Sequence, residues 1–148
     1  MSLQTHILAS SSKELSTYSK EIQVITDSVV SAIEKVTPIG DIDIVFYNNP
    51  ETVIKELGIG GFTPLENTIF MSLDVNNPNF KESLKGELEY TITHEINHAI
   101  RFRTPIPKET LLEAAISEGL ADHFAVQITG KKPAAWTHAL TDVEEKGM

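Results

Sequence analysis

The stretch from Asn79 to Arg103 constrains this chain most. Leu84, Leu88, Ile92, Ile96, Ala99 and Phe102 give it apolar surface on more than one side of a helix, which suits an interior position. The same stretch carries His94, Glu95 and His98. Burying two imidazoles and a carboxylate without partners is costly. A fold built on this helix must give that polar face something to bind, and a metal ion is the simplest candidate. Helical residues four apart share a face, so His94 and His98 are placed to hold one ion side by side. Glu95 lies one step round the helix, in reach of a water on that ion but not of the ion itself. This is why His-Glu-x-x-His recurs in zinc peptidases.

Catalytic zinc sites use three protein ligands and leave one position for water. The chain has no cysteine, so every ligand must be histidine or carboxylate. The segment from Lys108 to Thr129 reads as another helix and contains Ser117-Glu118-Gly119-Leu120-Ala121-Asp122. Most glutamates are solvated, but this helix is apolar and rich in alanine. Thr104-Pro105-Ile106-Pro107 ends the first helix, and a short connection makes neighbouring helices antiparallel. That return brings Glu118 towards His94 and His98 as the third ligand. Gly119 and Ala121 are small enough for close helix approach. Asp122 lies four residues after Glu118 and is expected to accept the second ring nitrogen of His94 or His98. Arg101 and Arg103 read as charges complementing the helix C-terminus.

Elsewhere, Ser11 and Glu14 form a capping box before Leu15, Tyr18, Ile22, Ile25, Val29, Ile33 and Val36, the apolar stripe of a long helix stopped by Thr37-Pro38 and Gly40. Ile42 to Tyr47 reads as a strand. Asn49-Pro50 opens a short helix ended by Gly58. Gly60 to Thr63 and Thr68 to Leu73 read as extended, and Asp74 to Asn79 as a loop. Asn79 with Glu82 caps one helix running to Arg103. Pro133 opens a last helix with Trp136, Leu140 and Val143. The order predicts a single α+β domain over residues 1–148: N-terminal helix, small mixed sheet, active-site helix, antiparallel glutamate helix and short C-terminal helix.

The net charge of −9, from 12 basic and 21 acidic residues, argues against nucleic acid as a partner. No apolar run approaches the ~20 residues that span a bilayer, and Met1 to Ser12 lacks the pattern of a secretory signal. The sequence-based expectation is a cytoplasmic protein with no membrane partner.

The motif His94-Glu95-x-x-His98, followed by Glu118 in a Glu-x-x-x-Asp helix, resembles the gluzincin zinc peptidases. The longer stretch from Tyr90-Thr91-Ile92-Thr93-His94 through Glu118-Gly119-Leu120-Ala121-Asp122-His123-Phe124-Ala125 is similar to a bacterial family of predicted zinc-dependent proteases. The resemblance implies a zincin-like fold and one Zn2+ per chain, held by His94, His98 and Glu118. It implies base catalysis by Glu95 on a peptide or protein substrate. It also implies a strand before the active-site helix that rims the cleft and pairs with substrate, matched here by Thr68 to Leu73. Gluzincins take an oxyanion donor from a later Tyr or His; the local candidates are His123, His138 and Tyr90, and the donor stays open. Family chains run well past the second metal helix, so 1–148 reads as short at its C-terminus. Two rival functions remain at this level. One is a zinc-binding regulatory module of the same fold without catalysis. The other is a non-haem iron site of two histidines and a carboxylate, in which Glu95 has no obvious role.

Overall fold

The computed structural model describes residues 3–103 and 111–130. The expected stop at Thr104 to Pro107, the helix at Pro133 with Trp136, Leu140 and Val143, and the candidate His138 lie outside the described residues.

The architecture is α+β. Strand β1 (Leu3–Ile7) leads through helix α1 (Leu15–Glu34) to β2 (Ile42–Asn48), and β3 (Ile59–Leu65) and β4 (Thr68–Leu73) follow. A single turn, α2 (Phe80–Ser83), precedes α3 (Glu87–Phe102) and α4 (Leu111–Thr129). The four strands form one mixed sheet in the order β1-β2-β4-β3, with β3 antiparallel to β4 and the other pairs parallel. The parallel β1–β2 pair needs a crossover, and α1 provides it. Leu15, Ile22, Val29, Val30 and Ile33 of α1 are buried with Ile42, Ile44 and Phe46 of β2 and Leu88, Ile92, Ile96 and Ala99 of α3 in one core. The apolar stripe expected on α1 is therefore the face it buries, except that the helix ends at Glu34 and leaves Val36 exposed.

Several local expectations are corrected. β1 carried no recognised signal, because five residues with a half-buried alternation give little periodicity. Ser11 does not cap α1. It belongs to a 3-10 turn over Ala9–Ser11, its hydroxyl donates to the Leu8 carbonyl, and it accepts from the Asn48 amide of β2. The short helix expected after Asn49 is only a 3-10 turn over Pro50–Thr52, although Asn49 does cap it by accepting from the Glu51 amide. The helix expected from Asn79 to Arg103 is broken between Ser83 and Glu87, and Asn79 makes no side-chain cap. Gly86 stands at the break, where glycine weakens helix propagation.

Thr68 to Leu73 is also not the cleft rim. β4 lies between β2 and β3, so both of its hydrogen-bonding edges are used. The edge strand nearest α3 is β3, whose Pro64 has no amide to donate, as suits an edge.

Arg103, expected only to complement a helix terminus, anchors α3 to the sheet. Its Nη1 donates to the Ile39 carbonyl, and its Nη2 donates to the carbonyls of Asp41 and Glu66. Gly40, at φ +81°, sits where a Cβ would meet that guanidinium. One cation thus ties the end of the histidine helix to the entry of β2 and the β3–β4 turn.

Candidate metal centre

Helix α3 places His94 and His98 one turn apart, with ring centroids 4.8 Å from one another. Contacts with α4 run in opposite residue order: Tyr90 and His94 meet Asp122, while His98 meets Ser117 and Glu118. The two helices are therefore antiparallel. Ala121 and Ala125 are fully buried at this level of α4, whereas a Cβ at Gly119 would meet nothing within 4 Å. Close approach thus does not depend on Gly119, against the expectation from its size.

Three side chains converge between the helices through two imidazole nitrogens and both oxygens of one carboxylate. His94 Nε2 lies 3.0 Å from Glu118 Oε2, His98 Nε2 lies 3.0 Å from Glu118 Oε1, and the two Nε2 atoms are 3.1 Å apart. His94, His98 and Glu118 are the group among the described residues that could hold a metal ion. Donors on a tetrahedral zinc at ~2.0–2.1 Å stand about 3.3 Å from one another, so the observed separations nearly match what one ion requires. The donor set fits zinc.

The outer ring nitrogens are held as well. His94 Nδ1 donates to Asp122 Oδ1 at 2.7 Å, and the Tyr90 hydroxyl donates to the same oxygen at 3.0 Å. His98 Nδ1 lies 3.3 Å from the Ser117 hydroxyl. An imidazole that donates through Nδ1 presents its Nε2 lone pair. Both rings therefore turn Nε2 toward the common point, and once the Nε2 proton is shed the His94 ring, held through Nδ1, presents a lone pair there. In the sequence, Ser117 carries no signal beyond its place beside Glu118.

Glu95 is 6% exposed, with Oε2 3.8 Å from His94 Nε2. It borders the three-donor cluster without joining it. The Thr63 hydroxyl of β3 reaches its Oε1 at 2.8 Å. Of the oxyanion candidates, Tyr90 is buried and engaged with Asp122 on the side of His94 away from Nε2, and His123 is exposed.

Electrostatics follow from this geometry. Burial raises the Glu95 carboxyl above its ordinary value, and the neighbouring His94 opposes the rise. Hydrogen bonds from His94 and then His98 hold Glu118 well below the usual carboxylate range. Burial and the Asp122 charge push the Tyr90 phenol up. For His94, burial alone would lower the pKa, but hydrogen bonds to Asp122 and Glu118 reverse this and raise it to about 10 in the metal-free chain.

A group raised on folding contributes stability that is complete below its unfolded pKa of 6.5 and is lost as pH passes its folded value. Chelator-treated protein should therefore lose thermal stability between pH 7 and pH 10. Zinc should flatten that slope, because ligation requires the neutral ring. Tm measured across this range with and without zinc checks both statements, and a level metal-free profile contradicts the first.

No curated protein and no solved structure matches this chain. A family description does, and it agrees with the three-donor cluster between α3 and α4. From residue 17 to residue 147 the chain matches the family described as predicted Zn-dependent protease (DUF2268), and it belongs to that family.

Proposed function

We propose that this protein hydrolyses peptide bonds at a single zinc ion held by His94, His98 and Glu118, with Glu95 as general base. The observation that carries the reading is the convergence of His94 Nε2, His98 Nε2 and the Glu118 carboxylate, with an oxygen 3.0 Å from each nitrogen and the nitrogens 3.1 Å apart, and with the buried Glu95 carboxylate beside this cluster and not within it. Two histidines from one helix and a glutamate from the next, antiparallel one is also the gluzincin arrangement.

When bound, zinc lowers the pKa of a water towards ~7 and polarises the scissile carbonyl. Glu95 Oε2, the oxygen nearer His94, takes the proton from the attacking water and delivers it to the leaving amine. Burial makes Glu95 a stronger base than an exposed glutamate. Asp122 fixes the His94 ring and its tautomer through Nδ1, and Tyr90 steadies Asp122 in turn. An extended substrate would add to the outer edge of β3, which from Gly61 onward pairs with no strand among the described residues. That edge replaces the role first expected of Thr68 to Leu73.

The test begins with elemental analysis and a peptide digest. Protein purified without added metal should carry about one zinc per chain, cut an unstructured protein such as casein, stop after treatment with a chelator, and recover with zinc. Zinc at that ratio with no cleavage of any peptide library would favour a metal-binding module without catalysis. Iron in place of zinc would overturn the hydrolase mechanism.

A further inference from the structure

We propose that Thr63 is a positioning residue for Glu95: it holds one carboxylate oxygen so that the other faces the metal ligands. The proposal rests on the zinc hydrolase reading above. Thr63 is 6% exposed, and its hydroxyl lies 2.8 Å from Glu95 Oε1 and 3.1 Å from the Glu95 backbone carbonyl. The hydroxyl has one proton to give. The carboxylate is both nearer and charged, so it is the stronger acceptor. With Oε1 engaged, Oε2 is the oxygen left at 3.8 Å from His94 Nε2.

Strand β3 reaches the base at a second point. A Cβ at Gly61 would lie 2.7 Å from Glu95 Cγ and 3.0 Å from both Cδ and Oε2. The edge strand thus grips the acid through Thr63 and makes room for it at Gly61. The pairing of β3 with β4 shifts register between Phe62 and Leu65. Such irregularities re-aim side chains, and here the result is that Phe62 is 63% exposed while Thr63 points inward. Among the described residues, Thr63 gives the Glu95 carboxylate its hydrogen bond. Held in this way, the side chain is restrained from rotating onto the metal as a fourth ligand.

The experiment compares wild type with Thr63→Val, which keeps the shape and removes the donor, and Thr63→Ser, which keeps the donor. Zinc content, Tm, kcat and KM on a peptide, and calorimetric affinity for acetohydroxamate are measured on the full chain. A hydroxamate chelates zinc and passes its proton to a neighbouring carboxylate, so its affinity reads the placement of Glu95 without turnover. Thr63→Val should keep stoichiometric zinc, lose about 10- to 100-fold in kcat with little change in KM, and bind the hydroxamate correspondingly more weakly. Thr63→Ser should restore both. Unchanged kcat and hydroxamate affinity in Thr63→Val, or no rescue by Ser, overturns the proposal. Should Thr63→Val fail to fold, Thr63→Ala, which also lacks the donor, carries the test, and wild-type hydroxamate affinity there is equally fatal. If wild type binds zinc but cuts no peptide, the hydroxamate arm still decides the role of Thr63. A wild type that takes up no zinc overturns the metal reading, and this proposal with it.

Discussion

His98→Ala should leave the purified protein without stoichiometric zinc, and His94→Ala should do the same. Each substitution removes one of three donor side chains whose nearest nitrogen and oxygen atoms lie 3.0–3.1 Å apart. Two remaining protein ligands are too few for a catalytic zinc site. The loss should be close to complete, because Glu118 is half exposed and cannot enclose an ion with a single imidazole. Asp122→Ala offers the graded comparison. It touches His94 through Nδ1 and not the metal position, so zinc affinity should fall by about 10- to 100-fold without vanishing. Equilibrium dialysis against a competing chelator measures all three variants on one scale. Full zinc in both histidine variants would remove the site altogether, and unchanged affinity in Asp122→Ala would confine Asp122 to a structural role.

Glu95→Gln should have the opposite signature: full zinc and almost no hydrolysis. Glutamine keeps the shape and still accepts the Thr63 hydrogen bond at its carbonyl oxygen, but it cannot take a proton from water. A positioned general base contributes about 10²- to 10⁴-fold, and kcat should fall within that range. The buried position matters here, because Glu95 is 6% exposed and burial raises its basicity. Metal content and peptide hydrolysis measured on the same preparation separate the two effects. Loss of zinc in this variant would make Glu95 a ligand and would require a different base.

The contrast between these variants was already legible in the sequence, because helix geometry is local. Four-residue spacing alone puts His94 and His98 on one face, displaces Glu95 by one step and aligns Glu118 with Asp122. The apolar periodicities of α1 and α3 likewise marked the faces they bury, except at the helix ends, where Val36 and Phe102 are exposed. Elements at the edge of that logic fared worse. β1 is five residues long with a weak alternation, and the Ser11–Glu14 and Asn79–Glu82 pairs looked like caps because capping patterns record spacing and not the competing partner. Ser11 was claimed by Asn48, 37 residues away.

The tertiary structure alone decided which strand meets the base and what holds the helix in place. Sheet order put β4 inside and β3 at the edge, a matter of pairing between distant strands that no local pattern encodes. The hydrogen bond from Thr63 to Glu95 spans 32 residues, and that from Arg103 to Ile39 spans 64. A threonine in an extended segment looks the same in sequence whether it faces water or a buried carboxylate, and an arginine at a helix end looks the same whether it faces water or distant backbone carbonyls. Their roles follow from the sheet order and register that bring β3 and the turn before β2 against α3. The sequence by itself thus determined the paired faces, His94 with His98 and Glu118 with Asp122, through spacings shorter than two helical turns. The fold determined its support, through partners that only chain reversal brings within hydrogen-bond distance.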